Sequence, residues 1–128
     1  MSSPDPAAVE LAHRLFDCAR AGEVGDLVGY LDAGVPVELT DASGNSLLML
    51  AAYHGQAEVV RALAERGADV DHVNDRGQSP LAGAVFKGED AVVEALLAAG
   101  ADPHAGSPSA AEAAAFFGRD ELAQRLLR

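Results

Sequence analysis

The chain contains no tryptophan, and two tyrosines with four phenylalanines bring aromatics to only 5% of its 128 residues. A core of large stacked rings is therefore excluded, and alanine, leucine and valine have to fill it at short range. Cysteine occurs once, as Cys18. One thiol cannot close an internal disulfide or supply a multi-cysteine zinc or iron–sulfur set, and its isolation fits a reducing, cytoplasmic compartment. Basic residues are scarce as well, nine against twenty acidic ones, a net charge of −11. That charge repels phosphate backbones and anionic lipid, so nucleic acid and membranes are poor candidate partners. No apolar run approaches the roughly 20 residues needed to span a bilayer. The first segment is broken by Glu10, His13 and Arg14 and so lacks the apolar stretch of a signal peptide.

What remains is a globular composition, 49% hydrophobic and 23% charged, in a length that suits one domain. Its glycines disclose a repeat. Gly22, Gly55 and Gly88 stand 33 residues apart, as do Gly34, Gly67 and Gly100, and Gly44 and Gly77 keep the same interval. Gly67-Ala68-Asp69-Val70-Asp71 recurs as Gly100-Ala101-Asp102-Pro103-His104, and Val59-Val60 with Leu63 recurs as Val92-Val93 with Leu96.

Each period carries two short helical stripes. Leu81, Ala84 and Val85 form one, and Val92, Val93, Leu96 and Leu97 the next, with Gly88 between them. Ser79-Pro80 is a helix start, because the hydroxyl accepts an orphan N–H while proline fills a first-turn position that needs no donor. Ser109 with Glu112 has the spacing of a capping box. Gly67 and Gly100 stand where a helix ends in a left-handed residue. The segments Val37 to Asn45 and Val70 to Gln78 have the Asp, Asn, Ser and Gly content of projecting turns. Ala19, Ala51, Ala52, Ala84 and Ala114 recur at matching places, and their small size permits close helix packing.

The run from Asn45 through Gly55 to Val60, the loop Gly67 to Asp71, and the restart Asn74-Asp75-Arg76-Gly77-Gln78-Ser79-Pro80-Leu81 together resemble the ankyrin-repeat family. The resemblance implies an all-α solenoid of helix-turn-helix units with short projecting finger loops. It covers nearly the whole chain: a flexible N-terminus over 1–6, then units at about 7–39, 40–72, 73–105 and 106–128, the first and last acting as caps. A small, stand-alone bacterial member of the family is the expectation. Three departures stand out. The family's Thr-Pro-Leu-His signature appears as Ser46-Leu47-Leu48-Met49 and Ser79-Pro80-Leu81-Ala82, so an imidazole that ties neighbouring turns is missing twice, which predicts weaker coupling between units. The last unit is short, with 30 residues from Gly88 to Gly118, which removes most of its finger around Ser107-Pro108-Ser109. The first helix has a wet side in Glu10, Arg14, Asp17 and Arg20, as a terminal cap requires.

Little in the sequence suggests chemistry. Cys18 holds the place taken by Ala51 and Ala84 in later units and reads as a small buried hydrophobe. A catalytic pair with His13 fails, because five residues of helix put the two on different faces. The four histidines form no metal-ligand spacing. Asp69, Asp71, Asn74 and Asp75 are dense enough for calcium, but Asn74 stands where the loop needs glycine. No phosphate-binding glycine motif occurs. No catalytic residue, cofactor or metal is therefore expected.

One distribution rises above background. Tyr53 and Phe86 share one repeat position just before a turn glycine, Phe116 and Phe117 precede Gly118, His54 and Lys87 flank the stripe, and Arg20 begins it in the first unit. In the family these positions end the first helix and line the concave groove. The matching finger tips include Ser43, Asn45, Asp75, Arg76 and Gln78. The resemblance thus implies a binding module, expected to be monomeric, for a partner protein with a basic or mixed surface and an apolar knob. The ordinary structural alternative is that the Phe pair seals the C-terminal cap and Tyr53 packs on its neighbour. A self-associating scaffold, or an enzyme acting on a small molecule, are the competing functions.

Overall fold

The computed structural model describes residues 5–127. Eight helices lie among them: α1 (Pro6–Ala21), α2 (Val24–Asp32), α3 (Leu47–Tyr53), α4 (Ala57–Glu65), α5 (Pro80–Lys87), α6 (Asp90–Ala98), α7 (Ala110–Phe116) and α8 (Asp120–Leu126). The first helices of the units, α1, α3, α5 and α7, pack side by side in that order. Behind them α2, α4 and α6 form a second layer, and α8 lies on α7. This is the helical solenoid that the 33-residue period implies. No unit buries its own apolar stripe, so stacking supplies a single core.

Local chemistry fixes where each first helix begins. Ser46 and Ser79 accept the N–H groups of Met49 and Ala82, both at 3.1 Å. Ser109 and Glu112 form the reciprocal capping box, Glu112 N–H donating to the Ser109 hydroxyl and Ser109 N–H to the Glu112 carboxylate. The chain start departs from the expected flexible segment over 1–6. Residues 1–4 lie outside the described residues, but Asp5 caps α1 by accepting the Ala7 N–H at 3.0 Å, and Pro6 is its first residue. Proline in the first turn lacks only a donor that would have had no helical partner, so the pair starts the helix rather than precedes it.

The core runs through every unit as one cluster, from Leu15 in α1 to Leu126 in α8. Ala51, Ala84 and Ala114, at the places where first helices meet, are all 0% exposed, and Cys18 takes the same place in α1. Between α3 and α4 the chain turns at Gly55, whose φ of +76° favours glycine, and the Glu89 carboxylate of the next unit packs against it. Met49 occupies the place where the family's imidazole would stand. Its thioether lies against Gly83 of α5, so an apolar contact joins these units there.

Charged pairs decorate the outside. Arg14 pairs with Glu10, Arg20 with Asp17 and Arg61 with Glu58 within helices, while Arg66 reaches Asp32 across units. Between α6 and α8, Arg119 meets Asp90 at 2.8 Å, and Arg125 holds Glu94 through two contacts of 2.5 and 2.7 Å. The Arg125 guanidinium holds the Glu94 carboxyl below its ordinary value. No helix among the described residues is long and apolar enough to cross a membrane.

Candidate functional site

The two full fingers are built on one device repeated 33 residues apart. In the first, Asp41 Oδ1 accepts the N–H groups of Ser43 and Asn45 at 2.9 and 3.0 Å. In the second, Asn74 Oδ1 accepts those of Arg76 and Gln78 at 2.9 and 3.0 Å. Both are side-chain mimics of a backbone turn, for which Asp and Asn are suited. Burial alone would push the Asp41 carboxyl up, but the hydrogen bonds from Asn45 and Ser43, with Arg20 nearby, outweigh it and hold it below the ordinary value.

The fingers then lock to each other. Asn74, only 8% exposed, donates both its Nδ2 hydrogens, to Asn45 Oδ1 and to Gln78 Oε1, each at 2.9 Å. With two bonds accepted at Oδ1, all four of its hydrogen-bonding places are filled. Asp75 N–H donates to the Ser43 carbonyl at 3.0 Å, and Ser107 N–H to the Gly77 carbonyl at 2.9 Å, so the shortened last unit is held to the second finger. Asn45 and Gln78 are thus tied into this network. Ser43, Asp75 and Arg76 remain exposed.

On the concave side, the expected stripe resolves into separate clusters. Phe86 and Phe117 meet edge to face with ring centres 5.5 Å apart, and Phe116 and Phe117 at 5.1 Å. The three rings line a cavity of about 450 Å³ floored by Ala82, Gly83 and Ala113. They remain 59%, 83% and 46% exposed for Phe86, Phe116 and Phe117. Phe116 therefore does not seal the cap. Tyr53 belongs to a different group: it packs edge to face with His54 at 5.8 Å, and Lys87 Nζ stands 4.9 Å above its ring. A second cavity of about 350 Å³ lies between Tyr53, Met49 and the two fingers, and Gln78 borders both cavities. Arg20, which opened the stripe in sequence, is paired with Asp17 and lies at the other end, bordering a third hollow with Phe16 and His13.

Cys18 is buried, and its thiol points to Glu23 Oε2 at 3.6 Å. Burial, then the hydrogen bond to Glu23, push the thiol up, which keeps it protonated and a poor nucleophile. Among the described residues, Cys18, Glu23 and Asp26 are the group whose ligand atoms approach within 4.8 Å of one another. Within that group the Cys18 thiol donates to the Glu23 carboxylate. His13 lies beside Phe16 instead, with ring centres 6.5 Å apart.

Residues 15–107 match the family model described as ankyrin repeats in three copies. The chain belongs to the ankyrin-repeat family. Over 57 residues it is 48% identical to an ankyrin repeat protein of Pseudomonas aeruginosa, a stretch covering 44% of this chain and 33% of that protein. Over 62 residues it is 42% identical to ankyrin repeat domain-containing protein 29 of Homo sapiens and of Danio rerio, covering 48% of this chain and 21% of each relative. The matched stretches thus span a third or less of the length of these relatives. Ankyrin repeats are in general protein–protein interaction modules, and the family is typically non-catalytic. In an ankyrin stack the groove between first helices and fingers is continuous, and here it passes from an N-terminal end of mixed character to an aromatic C-terminal end.

Proposed function

We propose that this ankyrin-repeat protein is a monomeric binding module that holds a partner protein along its concave groove, with Phe86, Phe116 and Phe117 as the anchor. The observation that carries the reading is the exposure of these three rings around one cavity. Large aromatic surface left in water by a folded chain is characteristic of interaction sites, and aromatic residues dominate binding energy where they are desolvated. Tyr53, His54 and Lys87 extend the contact surface toward the fingers, where Ser43, Asp75 and Arg76 offer a polar rim. The net charge of −11 steers a partner whose wider surface is basic or mixed. The acidic balance and the groove support a protein partner in a cytoplasmic setting rather than nucleic acid or membrane.

The test is capture of partners from the native cell on immobilised wild type and on a double variant, Phe86→Ala with Phe116→Ala. Because both rings are exposed, the variant should keep its helical circular-dichroism spectrum and melting temperature while losing the captured protein. Equal capture by both forms would refute the groove as the binding surface. Light scattering separates this reading from a self-associating scaffold: a single-chain mass supports the binding module, and a concentration-dependent assembly abolished by the same variant supports the scaffold.

A further inference from the structure

In a chain with so few cations, those left without a carboxylate are informative. Arg128 lies outside the described residues; of the other eight basic residues, six form ion pairs. Among the described residues Arg76 and Lys87 form none. Arg76 lines the cavity between the fingers with Tyr53, and Lys87 Nζ stands 4.9 Å above Tyr53. Both are exposed.

Asp75, the acidic residue of that cavity, has its carboxylate against Gly44 of the preceding finger. Glu112, beside the phenylalanine cavity, is bonded to the Ser109 N–H at 3.0 Å. The middle of the groove thus holds two cations that no carboxylate of the described residues pairs, Arg76 lining the cavity and Lys87 standing over the Tyr53 ring, in a strongly acidic molecule. Next to it, across Gln78, lies the apolar cavity of Phe86, Phe116 and Phe117.

We infer that the groove selects a partner segment carrying an acidic side chain, Asp or Glu, close to a bulky apolar one. The carboxylate enters the cavity of Tyr53 between Arg76 and Lys87, and the apolar residue enters the phenylalanine cavity. This rests on the groove being the binding surface, and it adds the element that specifies the segment. A basic partner surface accounts for long-range attraction to the chain as a whole, whereas the docked residue meets local charges, and these are positive. A lysine or arginine at the same point would meet two like charges and be rejected.

Selection of random linear peptides displayed on phage, using the full chain as bait, tests this directly. Enriched peptides should carry Asp or Glu at a fixed spacing from Leu, Ile, Met or Phe. Synthetic versions, titrated by calorimetry, should lose about tenfold or more in affinity against Arg76→Glu with Lys87→Glu. That variant should in turn enrich peptides with Lys or Arg at the same spacing. Enriched peptides without an acidic residue, or affinity unmoved by the charge reversal, would overturn the proposal. If Phe86→Ala with Phe116→Ala still abolished binding in that event, the groove would stand and only the acidic specificity would fall. Peptides indifferent to both variants, or no enrichment over an unrelated bait, would count against the groove and the specificity together.

Discussion

Asn74 shows how one buried side chain can hold two fingers in register. It makes four hydrogen bonds, three of them within its own finger and one to Asn45 in the finger before. Asn74→Ala removes the acceptor for two backbone N–H groups and the only donor to Asn45 in this network. Leaving such groups without partners costs about 1–3 kcal/mol, which a urea melt of the variant should show; an unchanged midpoint would mean that water replaces the amide. Asp41, its equivalent one period earlier, gives the same device a charge. Its carboxyl lies below the ordinary value of 3.8, so it contributes stability above that pH, and the contribution disappears as pH falls through the lowered value. Asp41→Asn keeps the acceptor and removes the titration. Urea midpoints of the wild type should therefore fall more steeply than those of Asp41→Asn on acidification below about pH 4. Cys18 has the opposite character. Kept protonated by burial, it should react with a soluble maleimide at neutral pH only when the chain is unfolded.

At the scale of the helix, short elements survive because small residues let them approach. α3 is seven residues long, well below what an isolated helix needs to persist in water, and lies between α1 and α5 with Ala51 fully buried. Ala51→Leu overpacks that joint and should cost about 1–3 kcal/mol, whereas Ala91→Leu on the exposed side of α6 should stay within roughly 0.5 kcal/mol. Thermal melts of the two variants compare them in one experiment. These helices are legible in the sequence where their signals are local: Ser79 and Ser109 cap within three residues, and the helix-ending glycines Gly67 and Gly100 have positive φ. The start of α1 at Pro6, with Asp5 as its cap, falls inside the segment expected to be flexible. Sequence spacing placed the groove residues in one stripe but could not foresee its division. That division depends on side-chain directions across units: Lys87 lies over Tyr53, and Phe117, at the equivalent place one unit on, lies beside Phe86. The finger network was hidden for the same reason, since Asn45 and Asn74 meet across 29 residues of chain.

For the molecule as a whole, charge acts in two directions that added salt separates. Twenty acidic residues against nine basic ones repel one another within a single elongated stack, and the exposed ion pairs offset little of this. Screening that repulsion should raise the melting temperature by a few degrees between low and physiological ionic strength. Association with a partner of basic surface should respond in the opposite sense, because the field that destabilises the stack is the same field that draws the partner in. Its association rate should fall, by about tenfold or more for strong steering, while dissociation from the phenylalanine anchor changes little. Measuring both quantities on one protein preparation over the same salt series decides the point. A melting temperature that falls with salt would show that the ion pairs between units, such as Arg125 with Glu94, outweigh the net repulsion. An association rate indifferent to salt would remove any role for the molecule's net charge in drawing the partner in.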